Sequence, residues 1–311
     1  MTPNALMRVA CALAVILPAA AGAQPPRAFP TPEEAVAALA VAARADDITP
    51  LLGLLGGAGR DLAASSDAAT ARQNRDVFLA AMAEGWRLER PADDRRELVV
   101  GREAWPFPVP IVKTGAGWVF DAEAGKEEVL TRRIGRNELA AIRIVHAYVT
   151  AQRAYARRGH DGRPAGLYAR RVASSRGMQD GLYWPAAPGQ PRSPLGELAA
   201  AAAAEGRPVG NAETGPVPFY GYHFRILEKQ GPKASGGAKS YVVDGVMSGG
   251  FALVAWPARY GETGITTFIV NQDGVVYEKD LGLDTAAAAP AITAFDPDAT
   301  WQRVVAADSA R

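Results

Sequence analysis

The chain has 311 residues, of which 48% are hydrophobic and 22% are charged, proportions typical of a folded globular protein rather than a disordered or fibrous one. Its formal net charge is +1, and this near-neutrality argues against a nucleic-acid-binding protein, which usually shows a basic excess. At roughly 150 residues per domain, the length predicts about two domains.

The N-terminus has the pattern of a secretory signal peptide. Arg8 precedes an apolar run over residues 9–17, which is shorter than the about 20 apolar residues that a bilayer-spanning helix needs. The rule of small residues at a cleavage site places the cut between Ala23 and Gln24. We therefore expect a periplasmic or secreted protein that has lost residues 1–23 and has no membrane span in its mature chain.

Cys11 is the only cysteine, and it lies in the segment that signal cleavage would remove. The mature chain is then expected to hold neither a disulfide nor a reactive thiol, although it would work in an oxidising compartment. Its stability must come from the packing of apolar faces.

Residues 24–125 predict an α+β domain in which the helices come first and a curved sheet follows. Thr31, Pro32 and Glu34 form a capping box that starts the first helix. From Trp86 the hydrophobic period changes from that of helices to that of strands. The predicted elements are helices from Thr31, at 50–55 and at 68–84, followed by hairpins at 86–101 and 111–121.

Residues 126–282 predict a second domain in which a long spine helix packs on an antiparallel meander. The helical pattern runs from 126 to 158 with a break expected at Gly135, and its wide apolar circumference is typical of a buried helix. Leu139 and His146 project onto the apolar face, so both are expected in the core.

The rest of the second domain mixes loops, two short helices and strands. Helices are expected near 167–172 and at 195–205, and an Asp-Gly turn at 273–274 predicts a tight hairpin. Residues 283–311 form an acidic, alanine-rich C-terminal segment. The strands are predicted at 220–228, 240–246, 250–257, 266–271 and 275–278.

No group of residues in the sequence has the pattern of a catalytic, cofactor or metal site. There is no Gly-x-Ser-x-Gly elbow, no phosphate-binding loop and no histidine pair at metal-ligand spacing. The sequence therefore predicts no catalytic residue, no cofactor and no metal. His160 is expected in an exposed turn, and His223 within a strand.

Residues 153–176 contain seven arginines, Arg170 among them, against a single acid, Asp161. One interpretation is a solvated loop face that neutralises the acidic C-terminal segment. The other is a patch for an anionic envelope polymer, because arginine forks bind phosphate and carboxylate groups well. The sequence leaves both interpretations open.

Tyr183 and Trp184 lie in a loop between predicted elements, directly before a proline. Large aromatic rings are usually core residues because they bury so much area. The alternative is an exposed contact or a lid, and this loop is the best place for one. Both interpretations stay open at this stage.

Several long strings along the chain resemble the bacterial exported family known as domain of unknown function 2950. This resemblance implies an envelope protein without an assigned activity, substrate or cofactor. The strings are WPFPVPIVK (105–113), GKEEVLTRRIGRNELAAI (125–142), DGLYWP (180–185), YGYHFRIL (220–227), GGFALVAWPARYG (249–261) and TFIVNQDGVVYEKDLG (267–282).

Two looser resemblances concern architecture. A spine helix followed by a variable loop and a meander is similar to the globular part of type IV pilin-like proteins. Helices followed by a curved sheet with a return hairpin, as expected for 24–125, resemble nuclear transport factor 2-like cones. Both are likenesses of fold, and fold does not fix function.

Two hypotheses of function follow. The preferred one is a non-catalytic binding or assembly module for an envelope protein or an anionic cell-wall polymer, with Arg170, Tyr183 and Trp184 as binding candidates. The alternative is an envelope hydrolase with a site in or beside the first domain, near Trp105 and Arg133. A deep pocket lined by a carboxylate with a perturbed pKa would favour the enzyme, and a flat surface of aromatic and arginine side chains would favour the binder.

Overall fold

A computed structural model describes residues 25–45, 47–57, 59, 62, 68–186, 189, 192–204 and 218–305. The predicted α+β class is confirmed, with helices and antiparallel sheets. The chain divides into two compact units, Met1–Val129 and Leu130–Arg311. The expected signal peptide and its cleavage site between Ala23 and Gln24 lie outside the described residues.

The first unit begins with helices, as predicted. The Thr31 side chain accepts a hydrogen bond from the backbone N–H of Glu34 at 3.2 Å, and Pro32 takes the first helical position. This side-chain bond satisfies a donor that the helix itself leaves without a partner. The helices are α1 (Pro32–Arg44), α2 (Thr49–Leu55) and α3 (Ala68–Glu84).

An antiparallel sheet follows in the order β1-β2-β4-β5, with β3 paired to β2. Both predicted hairpins are confirmed. Phe29 pairs with Trp118 through two backbone hydrogen bonds of 2.8 Å and so covers the β5 edge of the sheet. The strands are β1 (Trp86–Ala92), β2 (Arg95–Val100), β3 (Trp105–Pro106), β4 (Ile111–Thr114) and β5 (Gly117–Phe120).

The spine helix α4 (Ala122–Ala156) has 35 residues and continues without interruption past Gly135. The prediction of a helix break at Gly135 was wrong. A glycine inside a helix costs only about 1 kcal/mol relative to alanine, and the strong helix formers on both sides of it outweigh that cost.

One side of α4 is exposed where the sequence predicted core. Leu139 is 56% exposed, and His146 is exposed as well. The expectation that both are buried was therefore wrong. They alternate with Arg143 and Thr150 at steps of four and three residues, so these four side chains share one solvent-facing stripe. The buried side of α4 includes Val145, Tyr148, Val149, Gln152 and Tyr155.

The second unit holds the predicted meander. Its sheet has the order β6-β11-β12-β13-β14. Strands that are neighbours in this sheet are also consecutive in the chain, except that an excursion holding β7–β10 separates β6 from β11. The predicted strand at 240–246 is instead split between short hairpins of that excursion. The strands are β6 (Tyr222–Leu227), β7 (Lys229–Gln230), β8 (Lys239–Ser240), β9 (Val242–Val243), β10 (Val246–Met247), β11 (Ala252–Pro257), β12 (Thr266–Asn271), β13 (Val276–Asp280) and β14 (Gln302–Arg303).

The helix expected near 167–172 does not form. Instead, the N–H of Tyr168 bonds to the carbonyl oxygen of Met247 at 2.8 Å, and Ala173 bridges to Tyr183. Gly166 directly precedes this segment with a φ of 93°, which lies outside the helical range. The alanine-rich helix does form, as α5 (Gly196–Ala204).

The C-terminal segment covers part of the sheet. After a 3-10 turn (Gly282–Asp284), the helix α6 (Thr285–Ala291) lies against β11. The Arg225 guanidinium of β6 donates to the carbonyl oxygens of Pro290 at 2.9 Å and Ile292 at 2.6 Å. Within the described part of the chain, every helix is too short or too polar to cross a membrane.

Candidate functional site: the arginine-rich end of the second unit

Two tight turns lie close to the C-terminal end of α4. In the first, residues 160–163, the N–H of Arg163 donates to the carbonyl oxygen of His160 at 2.9 Å. Asp161 and Gly162 have φ angles of 49° and 75°, the left-handed pair that a two-residue hairpin turn requires. Asp-Gly is a favoured sequence for this turn because both residues tolerate positive φ.

The second turn spans residues 175–178, where the N–H of Met178 donates to the carbonyl oxygen of Ser175 at 3.0 Å. Asp180 holds it from one side. The carboxylate of Asp180 accepts from the Ser175 N–H at 2.7 Å and from the Ser175 hydroxyl at 2.9 Å. Burial alone would raise the pKa of Asp180, but these bonds and the Arg171 cation outweigh burial and lower it.

Hydrogen bonds join the two turns to each other and to the spine helix. The carboxylate of Asp161 accepts from the N–H of Gln179 at 2.8 Å. The Tyr155 hydroxyl of α4 donates to the carbonyl oxygen of the same Gln179, also at 2.8 Å. Burial and the nearby aspartates raise the pKa of Tyr155 to about 12, so its hydroxyl stays a donor at neutral pH.

His160 lies under the turns rather than in solvent. Its ring stacks on Tyr155 with centroids 4.0 Å apart, and its Nε2 is 3.0 Å from the carbonyl oxygen of Tyr155. Trp184 meets the imidazole edge-on at 5.7 Å. His160 is half-buried. The prediction of a turn at His160 is therefore confirmed, and the expected exposure of its side chain was wrong.

Of the two interpretations of Tyr183 and Trp184, the core interpretation holds for Trp184. Its side chain is 6% exposed and belongs to the main apolar cluster of the second unit. Tyr183 is half-buried, and its N–H donates to the carbonyl oxygen of Val172 at 2.8 Å. The backbone of this loop is thus paired with the segment before it, and an exposed contact at Tyr183 stays a prediction.

The arginines of residues 157–180 differ in the contacts that their side chains make. The Arg170 guanidinium is 2.8 Å from the Glu228 carboxylate, and Arg171 donates to the Ser175 hydroxyl at 2.8 Å. The others are exposed and form no ion pair with any residue that the structure describes. These four free cations, here called the arginine cluster, are Arg157, Arg158, Arg163 and Arg176.

The charge of this end is strongly positive. Residues 157–180 contain six arginines and two aspartates, with no lysine or glutamate, which gives a net charge of +4. Among the described residues, the C-terminal aspartates form no ion pair with these arginines. Asp296 and Asp298 instead accept hydrogen bonds from the Lys233 N–H and from Thr300.

The alternative site residues Trp105 and Arg133 belong to different units. Trp105 is 45% exposed, and its ring meets Phe107 edge-on at 6.3 Å. Arg133 is half-buried on α4. In the described part of the first unit no polar side chain is buried, since the buried polar residues all lie in the second: Gln152, Ser193, Gln230, Thr267, Asn271 and Thr285.

A metal site finds no support among the described residues, where no three His, Cys, Asp or Glu side chains come close enough together to hold an ion.

A family model described as "Protein of unknown function (DUF2950)" matches residues 26–304. The chain belongs to the DUF2950 family. Neither a curated protein nor a solved structure matches it. The similarities to pilin-like proteins and to nuclear transport factor 2-like cones therefore stay predictions, as does export.

Sequence reasoning about this DUF2950 chain missed the residues that assemble the site. Tyr155, Gln179 and Asp180 contribute no exposed cation, yet they hold the turns that carry Arg163 and Arg176. The only local signals were the dipeptides Asp161-Gly162 and Arg176-Gly177, which mark turns. The hydrogen bonds between the turns join residues 18 or more positions apart and leave no local signal.

The sheet of the second unit carries a histidine, His223, whose ring is partly buried. His223 of β6 packs beside Trp256, with ring centroids 5.4 Å apart. Its Nδ1 is buried and has no hydrogen-bond partner in the described structure. Burial lowers the pKa of His223, because the charged imidazole is less well solvated there.

We predict that His223 makes the free energy of unfolding pH-dependent. Below about pH 6.5, the ordinary value for histidine, the unfolded chain takes up a proton that the folded chain resists. Stability is therefore fully present above that pH and is lost as the pH falls through the lowered folded-state pKa. Urea denaturation between pH 7.5 and 5.5 should show a smaller loss for His223→Gln than for the unchanged protein.

The matched control is His146→Gln, which removes an exposed imidazole from α4. This variant should keep the pH dependence of the unchanged protein. Identical curves for His223→Gln and the unchanged protein would contradict the prediction.

Proposed function

We propose that the protein is an exported, non-catalytic binding module of the bacterial envelope, and that its second unit binds an anionic polymer through the arginine cluster. The observation that carries the proposal is that four exposed arginines without ion-pair partners in the described structure lie at the C-terminal end of α4 and on the turns beside it. Arg157 and Arg158 directly follow the helix, and Arg163 and Arg176 stand on the two turns that hydrogen bonds join. Export is proposed from the signal-peptide pattern of residues 1–23.

Arginine suits phosphate and carboxylate ligands. Its planar guanidinium offers parallel N–H donors that match two oxygens of either group. Four such groups, two directly after α4 and two on the turns, favour a chain of repeated anions over a single small anion, for which one guanidinium would be enough. Surface ion pairs are screened by salt, so binding should weaken as ionic strength rises.

The carboxylates near the cluster support binding rather than catalysis. A general acid needs a pKa raised toward neutrality, whereas the hydrogen bonds from Ser175 lower the pKa of Asp180. Asp161 is engaged by the backbone of Gln179. Both acids therefore stabilise the turns, which favours binding over acid catalysis at the arginine-rich end.

The test is a titration of the purified protein with long-chain inorganic polyphosphate, poly-glutamate and neutral dextran at low salt. Replacement of the arginine cluster by glutamine should weaken binding of the two anionic polymers by about 100-fold, since four surface ion pairs at roughly 0.7 kcal/mol each sum to nearly 3 kcal/mol. Dextran should not bind. N-terminal sequencing of the exported form should begin at Gln24.

The matched control carries the same loss of charge elsewhere in the second unit, by glutamine replacement of four other exposed arginines. It should keep nearly all the affinity. Equal weakening in both variants would show that only net charge matters, and it would sink the proposed site. The control positions are Arg136, Arg143, Arg259 and Arg303.

A further inference from the structure

The sheet of the first unit has one open edge. Strand β1 pairs only with β2 among the described strands. All its residues are exposed except Leu88, which is half-buried. An exposed edge of this kind offers unpaired backbone groups to another strand.

The hydrogen-bond pattern shows which backbone groups of β1 face outward. The carbonyl oxygen of Leu98 accepts from Phe107 at 2.7 Å, on the side of β2 away from β1. Leu88, opposite Leu98, therefore makes no backbone bond to β2, since residues of an antiparallel pair alternate in bonding. The Leu88 N–H and C=O point to the open edge.

The side chains of β1 are complementary in charge to those of a second, antiparallel copy of β1. When two copies of β1 run antiparallel with Leu88 opposite Leu88, each Arg87 faces the Glu89 of the other copy. The same register places Trp86 opposite Arg90, a pair suited to a cation–π contact. Opposite charges in directly facing positions stabilise a strand pair.

Other registers are less favourable. The outward-facing backbone groups belong to alternate residues, so the pairing can shift only in steps that keep this alternation. A shift to either neighbouring register sets Arg87 opposite Arg87 or Glu89 opposite Glu89, and like charges directly opposite are destabilising. The Leu88 register alone pairs both charges with their opposites.

We propose that two copies of the protein associate through their β1 strands, antiparallel, with Leu88 at the two-fold axis. The charges are available for this contact. Arg87 and Glu89 form a 2.6 Å ion pair within the strand, yet their side chains remain 55% and 51% exposed. The ladder irregularity between Glu89 and Ala92 limits regular pairing to about five residues, so the dimer is weak and concentration-dependent.

Sedimentation equilibrium across micromolar to millimolar concentrations tests the proposal. Arg87→Glu and Glu89→Arg should each lower the association constant at least about 10-fold, because each creates two like-charge contacts. An equimolar mixture of the two variants should associate again as a heterodimer. The double exchange R87E/E89R should restore self-association. Lys113→Glu, which reverses a charge at an exposed position on β4, is the matched control and should leave the association constant unchanged.

Amide hydrogen exchange supplies a second readout. The N–H of Leu88 should exchange more slowly as protein concentration rises. The amides of Arg87 and Glu89, which face β2, should show no such dependence. A protein that stays monomeric at about 1 mM, or charge variants that fail to recover association when mixed, would overturn the proposal.

Discussion

Phe251→Ala should lower the free energy of unfolding by about 3–5 kcal/mol, the range for removing a buried phenylalanine from a core. Phe251 is completely buried. Its ring meets Tyr148 of α4 at 5.6 Å and Tyr168 of the following loop at 4.8 Å, both edge-on. The variant thus opens a cavity where the helix, the loop and the sheet meet. Urea denaturation followed by circular dichroism measures the loss.

The control for this variant is Leu283→Ala, at a position that is 90% exposed. A surface truncation should change stability by no more than about 0.5 kcal/mol. A loss below about 1 kcal/mol for Phe251→Ala would mean that this junction does not hold the second unit together.

Gln152→Leu should destabilise the protein by about 2–4 kcal/mol, although leucine is similar in size and more hydrophobic. Gln152 is completely buried. Its amide donates to the Ala169 carbonyl oxygen at 2.7 Å and accepts from the Ala169 N–H at 2.9 Å. The substitution leaves both backbone groups buried without a partner, and each such group costs about 1–3 kcal/mol.

The same variant has a consequence for the arginine cluster. Ala169 leads directly into the segment that carries the second turn, so a loosened Ala169 should also reduce polyphosphate binding. Thermal denaturation and the polymer titration measure the two effects on one protein. Gln302→Leu, at an exposed position, is the matched control. Unchanged stability in Gln152→Leu would contradict this assignment.

Much of the fold could be predicted because its signals are local. The capping box at Thr31 and the hairpins of the first unit depend on residues within a few positions of one another. The β12–β13 turn needs a residue with positive φ, and Gly274 supplies it at 82°. These local features were sufficient to predict the α+β class and the meander without any tertiary contact.

The wrong predictions share a different physical cause. A helical projection shows which residues share a stripe, but only tertiary packing decides which stripe is covered, so Leu139 and His146 were misplaced. The expected helix at 167–172 was lost to hydrogen bonds from Gln152 and Met247. Both contacts come from distant parts of the chain.

The candidate site could be predicted only in its composition. The sequence shows the concentration of arginines, but Arg170, the one selected, is held by Glu228 58 residues away. Trp184 is a core residue for the same reason, since its ring meets that of His160, which lies 24 residues earlier in the chain. Long-range partners decide which charges remain free, and the sequence around an arginine does not identify its partner.

The hydrogen bond between Asp161 and Gln179 reduces the entropic cost of ligand binding at the arginine-rich end. Because folding already orders the backbone of both turns, a ligand must immobilise only arginine side chains, at roughly 0.5–1.5 kcal/mol each. The fold then fixes the spacing of the backbone positions that carry the arginines, and the ligand orders the side chains within that spacing. A polymer would be selected by how well the repeat of its anionic groups matches this fixed spacing.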